Sequence, residues 1–119
     1  MWYGFFLTLV LNQKCIRLFL KRKISQYHII IQMLEKQVQS KVVKKLKESG
    51  WMVVKIMSCS LPGWPDLQAL KNGKVIFIEV KAPGNVATPL QRVRHDQLRQ
   101  AGFDVYVIDD VKKLEVINS

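Results

Sequence analysis

Asp66, Glu79 and Lys81 are the residues of this chain whose types and spacing best suit chemistry on a charged substrate. Glu79 and Lys81 close an otherwise apolar run, Val75-Ile76-Phe77-Ile78-Glu79-Val80-Lys81. In a strand, that spacing sets both side chains on one face and turns Val80 to the other, into the core. Asp66 follows Pro65 at the start of another extended segment, and Lys71-Asn72-Gly73-Lys74 between the two carries the strongest short hairpin signal. An antiparallel pair closed by that turn brings the early end of the first strand to the late end of the second, so Asp66 and Glu79 converge. Two carboxylates brought together there are costly to bury without compensation. A divalent cation removes that cost, and hard oxygen donors select magnesium or manganese over zinc. A lysine beside them orients or activates a water, or stabilises charge developing on a phosphate. Taken singly, a Glu-x-Lys pair is usually a solvated pair on a strand edge, and an aspartate after proline a turn cap. The joint pattern weighs against that reading, because an acid and a lysine at the end of an apolar strand fit no simple core.

The elements that must position these residues are legible from periodicity and punctuation. Leu34 to Ser49 reads as a helix with Val38, Val42, Val43 and Leu46 on one face, stopped by Gly50. Trp51 to Met57 reads as a strand, and Ser58 to Pro65 as a loop punctuated by Pro62, Gly63 and Pro65. Asp66 to Leu70 is a short strand. Val75 to Lys81 is apolar on both faces and so is expected in the middle of the sheet. Thr88-Pro89 is an N-cap with proline at the first helical position, and a helix follows to Ala101, ended by Gly102. Val105 to Ile108 is a last strand, with room for a short helical turn after Asp109. The order helix, three strands, helix, strand predicts an α/β fold in which a mixed sheet of about four strands is flanked by helices.

Gly63-Trp64-Pro65-Asp66-Leu67, followed by Phe77-Ile78-Glu79-Val80-Lys81, resembles the PD-(D/E)XK nuclease superfamily. Within it the chain is similar to the virus-type replication-repair nuclease family, VRR-NUC, which shows Glu and Gln early in a first helix, Gly-x-Pro-Asp, Glu-Val-Lys, and a Gln early in the next helix. Glu35, Gln39 and Gln91 stand at the helix positions, and the resemblance spans roughly Met33 to Ile108. It implies a restriction-endonuclease-like core and an Mg²⁺-dependent DNA endonuclease, with Mn²⁺ able to substitute. Asp66, Glu79 and the backbone carbonyl of Val80 would hold the metal, with Glu35 reaching it from the first helix. Lys81 would position the attacking water, and Gln91 would support the site, Gln39 more weakly. Glu35 as a plain first-turn acid, and both glutamines as solvated amides, remain alternatives. Stand-alone members of the family imply a homodimer that cuts branched DNA such as four-way junctions, and a phage or prophage source.

The remaining features are less specific. The chain has 119 residues, 19 Lys+Arg against 9 Asp+Glu, and a net charge of +10. That size allows one domain with a real core, and the charge suits a polyanionic partner. Two cysteines, Cys15 and Cys59, exclude a disulfide scaffold or a four-cysteine zinc site. No phosphate-loop or dinucleotide motif is present, so no small-molecule cofactor is expected. Lys44, Lys45, Arg92, Arg94 and Arg99 are candidates for DNA phosphate contacts, although a lysine-rich helix face is more often simply solvated. Phosphate contacts carry no direct sequence information, so DNA shape is the expected target. His95, among those arginines, reads as touching phosphate or solvent. Trp64 suits either base stacking or packing.

Five basic residues (Lys14, Arg17, Lys21, Arg22, Lys23) and no acid lie before Met33, which leaves 14 against 9 and a charge of +5 beyond it. Residues 1–32 are read as an extension, not folded or not native to the working protein, and 33–119 as the nuclease-like domain. The apolar run Trp2 to Leu11 is shorter than the ~20 residues of a membrane span. Its charges follow rather than precede it, unlike a secretory signal. With the source that the resemblance implies, the expected location is the cytoplasm of a bacterial or phage-infected cell. Two other readings stay open: a non-catalytic DNA-binding module on the same fold, and a membrane-surface protein anchored by residues 1–24.

Overall fold

The computed structural model describes residues 2–117, with side chains from residue 13 onward, so the side chains of the apolar run Trp2 to Leu11 lie outside the described residues. The chain divides into two compact units, Met1–Met33 and Leu34–Ser119. The elements are α1 (Trp2–Glu48), β1 (Met52–Lys55), β2 (Leu67–Lys71), β3 (Lys74–Val80), α2 (Pro89–Gln100), β4 (Asp104–Ile108) and a 3₁₀ helix (Val111–Val116). Helix α1 is thus longer than the Leu34–Ser49 that periodicity marks out and takes in residues 2–33 as well. The reason is local: no proline or glycine occurs between Gly4 and Gly50, and Leu, Ile, Lys, Arg and Gln sustain a helix whether or not its sides are covered. In the first unit, Ile16, Leu18, Phe19, Leu20 and Ile24 are all more than half or half exposed. No helix among the described residues is long and apolar enough to cross a membrane.

In the second unit the sheet order is β1-β2-β3-β4. Strands β1, β2 and β3 pair antiparallel, and β4 joins β3 in parallel, with Glu79 level with Val107. The β2–β3 hairpin turns at Asn72 and Gly73, both at positive φ (50° and 76°), the conformation that a two-residue hairpin turn needs. The parallel partner requires a crossover, which α2 supplies. Its N-terminus is closed by a reciprocal cap: the Thr88 side chain accepts from the Gln91 N–H, and the Gln91 side chain accepts from the Thr88 N–H.

Strand β3 is buried along most of its length because both its faces are covered. Its even-numbered residues, Ile76, Ile78 and Val80, pack with Val38, Val42 and Leu46 of α1, and with Trp51, Leu67, Ile108 and Leu114. On the opposite face Phe77 packs with Leu98 of α2 and Val105 of β4. Trp64 meets Phe77 edge to face at 5.5 Å, so its role here is packing rather than a free stacking platform. Glu79 and Lys81 belong to this second face, which makes α2 the roof over the acid.

Gly63 ties the loop before Asp66 to that roof. Its φ is +80°, and a Cβ there would lie 3.0 Å from both the carbonyl oxygen and the Cγ of Leu90. The backbone oxygen has nowhere to go, so a side chain at this position strains both the turn and the first turn of α2. Gly63→Ala is expected to lower stability by about 1–3 kcal/mol, measured by chemical denaturation, instead of giving the small gain of an ordinary loop Gly→Ala change.

Candidate active site

Glu79 is the centre of the site. It is 1% exposed. Its Oε1 accepts a 2.8 Å hydrogen bond from Gln91 Nε2, and the Lys81 ammonium lies 3.8 Å from the same oxygen. The other oxygen, Oε2, is buried with no hydrogen-bond partner among the described residues. Asp66 lies immediately before β2, where the register Leu67↔Ile78 continues toward Glu79. Its Oδ2 accepts the Val80 N–H at 2.9 Å, which pins the second acid to the strand that carries the first. The Val80 side chain meanwhile enters the core on the α1 face. Burial first, then the negative charge of Asp66, push the Glu79 carboxyl from 4.5 to about 8, against the opposing pull of Lys81. Glu35 is half-buried on α1, and its pKa is raised first by burial and then by Asp66, with Lys81 again opposing. The structure therefore brings Glu35, Asp66, Glu79, Lys81 and Gln91 into one electrostatic neighbourhood.

Gln91 arrives oriented. Its Oε1 is taken by the Thr88 N–H at 2.9 Å, so the NH₂ end of the amide is the one left to face Glu79. One turn further along α2, His95 points the same way and is 1% exposed. Its Nε2 sits 3.5 Å from Glu79 Oε2, without a hydrogen bond between them. Burial first, then the positive charge of Arg99, hold its pKa below the usual 6.5. The expectation that His95 faces phosphate or solvent is corrected: Leu98 marks the buried stripe of α2, and His95, three residues earlier, shares it. That i, i+4 spacing from Gln91 was the available signal.

The other candidates lie outside this cluster. Gln39 is half-buried on α1, and its side chain has no hydrogen bond among the described residues. Lys44 is exposed and Lys45 half-buried. Arg94 donates from Nε to the Pro62 carbonyl at 2.8 Å and from Nη1 to Gln97, and so braces the loop before Asp66. Arg99 donates to the Val105 carbonyl at 3.0 Å and meets Asp96 at 3.4 Å. Arg92 is exposed, and its guanidinium has no partner among the described residues. Cys15 and Cys59 are free and exposed.

Among the described residues no three His, Cys, Asp or Glu side chains form a ready-made metal cage. The donors present are the sparser kind that magnesium takes: one or two carboxylates, with water and substrate oxygens completing the shell. Glu79 Oε2, buried without a hydrogen-bond partner and 3.5 Å from His95 Nε2, belongs to a carboxyl that also feels the charge of Asp66, and a pair of acids so coupled fits such an ion.

No family model matches the chain. It is 40% identical over 76 residues to "Putative nuclease p44" of Acyrthosiphon pisum secondary endosymbiont phage 1, an overlap covering 63% of this chain and 82% of the phage protein. A solved structure titled "VRR_NUC domain" is similar in fold, with a TM-score of 0.63 and 27% identity over 70% of this chain and 91% of its own.

The raised Glu79 pKa has a stability consequence of definite sign. The folded, metal-free protein keeps a proton on Glu79 up to a pH near 8, whereas the unfolded chain releases it near 4.5. The stabilisation this gives is complete below the lower value and is lost as pH rises through the upper one. Relative to Glu79→Gln, which carries no titrating proton, the metal-free wild type is expected to lose melting temperature between those two pH values and to level off above them. Thermal melts of both proteins in chelator, across that range, measure the difference. Parallel curves would show that Glu79 titrates as an ordinary surface acid.

Proposed function

The chain belongs to the VRR-NUC family of nucleases, and from that membership we propose a divalent-metal-dependent DNA endonuclease that favours branched DNA. The observation that carries the reading is the Glu79 carboxyl, buried with one oxygen unsatisfied, beside Asp66 and beneath Lys81. A carboxylate so placed needs a positive charge to ionise at neutral pH. Asp66, Glu79 and the Val80 carbonyl would hold the cation, with Glu35 within electrostatic reach. Magnesium is the natural choice, with manganese able to replace it. When bound, the cation neutralises the two acids and polarises a phosphoryl oxygen.

The protein's own groups do the rest. Gln91 holds Glu79 Oε1, leaving Oε2 free to act as a ligand. The Lys81 ammonium, its side chain 11% exposed, positions the attacking water and balances charge building on the scissile phosphate. The water oxygen forms the new bond to phosphorus and gives up its proton to solvent. The bond from phosphorus to the 3′ oxygen breaks, and that oxygen leaves with the electron pair and takes up a proton. A 5′ phosphate and a 3′ hydroxyl result.

The proposal assigns this activity to residues 33–119 and leaves residues 1–32 as an extension. It places the protein in the cytoplasm of a bacterial or phage-infected cell. Resemblance to stand-alone family members extends it to a homodimer, in which each protomer cuts one strand and two-fold symmetry matches that of a four-way junction. Purified protein incubated with Mg²⁺ on linear, flapped and four-way DNA is expected to nick the branched forms fastest. Glu79→Ala, Asp66→Ala and Lys81→Ala should each lower the rate by at least ~100-fold, as removal of a key charge-stabilising group does elsewhere, while DNA binding persists. Wild type that cuts none of these substrates with Mg²⁺ or Mn²⁺ would falsify the enzyme reading, and variants that keep wild-type function would favour a binding module.

A further inference from the structure

A cleft of about 350 Å³ opens beside the acidic site, at the carboxyl ends of the parallel strands β3 and β4. Its walls are the loop after β3, the end of β4 and the flank of α2. Crevices in this position, outside the carboxyl ends of parallel strands, are where α/β folds commonly hold ligands. His95 is shared between the cleft and the acidic site, since it lines the one and lies 3.5 Å from Glu79 in the other.

The charges lining the cleft are unbalanced. Arg92, Arg99 and Lys113 face it, against one acid, Asp109. Asp109 and Lys113 offset each other as an ion pair, and Asp109 Oδ2 accepts the Gly84 N–H at 3.1 Å, which leaves the two arginines as the excess charge. Arg99 is fixed in place by its bond to the Val105 carbonyl. Arg92 is exposed, and its guanidinium has no partner among the described residues. Two guanidinium groups, one braced and one free, therefore border a concave space much larger than a single phosphate requires. Guanidinium forks match phosphate oxygens in geometry as well as charge.

We propose that this cleft is a phosphate-holding subsite, in which Arg92 and Arg99 grip the nucleic-acid backbone flanking the bond to be cut. Its ligand identity rests on the nuclease reading. The subsite separates the arginines of α2 by task. Arg92 and Arg99 serve the strand, whereas Arg94 braces the loop at Pro62. A strand seated here lies alongside the acids instead of across the α1 face.

The test uses the full chain with Arg92→Ala, Arg92→Glu and Arg92→Lys. Arg92 makes no contact that the fold needs, so all three should melt like the wild type. Binding of labelled duplex and four-way DNA is followed in chelator over a range of salt, and cleavage with Mg²⁺. Arg92→Ala should raise KM with kcat nearly unchanged and flatten the slope of log K against log salt by about 0.9, the share of one duplex phosphate contact. Arg92→Glu should weaken binding further, and Arg92→Lys should restore most of the salt slope. Wild-type binding and KM in Arg92→Ala and Arg92→Glu would overturn the subsite. Arg92-dependent binding of inorganic phosphate or a mononucleotide, with an unchanged DNA salt slope, would overturn the backbone assignment in favour of a free-anion site. If the wild type cuts nothing while Arg92→Ala still flattens the slope, the nuclease reading fails and the subsite stands.

Discussion

The second unit is organised around one constraint, the burial of the Glu79 carboxyl in the middle of a sheet. A carboxylate in such a place is tolerated only if it is protonated, hydrogen-bonded or faced by positive charge. Each neighbouring element supplies part of the answer. Parallel pairing of β3 with β4 demands a crossover, and the crossover helix brings Gln91 down onto Oε1. The hairpin register brings Asp66 alongside, and the Val80 N–H holds it there. Lys81, two residues on, returns some positive charge. The compensation stays incomplete, and burial together with the charge of Asp66 raises the proton affinity of this carboxyl.

Strand β3 separates two jobs by the parity of its residues. Ile76, Ile78 and Val80 carry the contacts to α1 and most of the apolar core, while Phe77, Glu79 and Lys81 face α2. Stability and chemistry thus sit on opposite sides of one strand, less than a side chain apart. Losses on the even side act through packing, whereas on the odd side Phe77 acts through packing and Glu79 and Lys81 through charge.

The site was legible to the extent that it obeys short-range rules. Glu-x-Lys shares a strand face by the pleat, Asn-Gly sets the hairpin and therefore the meeting of Asp66 with Glu79, and Thr88-Pro89 starts α2 where a cap should. Other features depend on packing that local pattern does not encode. His95 sits among arginines and looks solvated, yet the rotation of α2 imposed by Leu98 carries it inside. Arg94 and Arg99 look like free cations, but their bonds run to carbonyls distant in sequence or on the next strand. The start of α1 was misplaced because periodicity reports which side of a helix is covered. Helix persistence needs no such cover where no breaker intervenes.

The double use of Gln91 sets a limit on how this position can drift in descendants of the sequence. Its carbonyl end completes the cap of α2, and its amine end holds the acid. Glutamate, reached by a single-base change and an equally good capping residue, would keep the helix start and set a second negative charge against Glu79. Leucine or alanine would lose both functions at once. Glutamine alone among these meets both demands, so the helix start and the setting of the buried acid rest on one side chain.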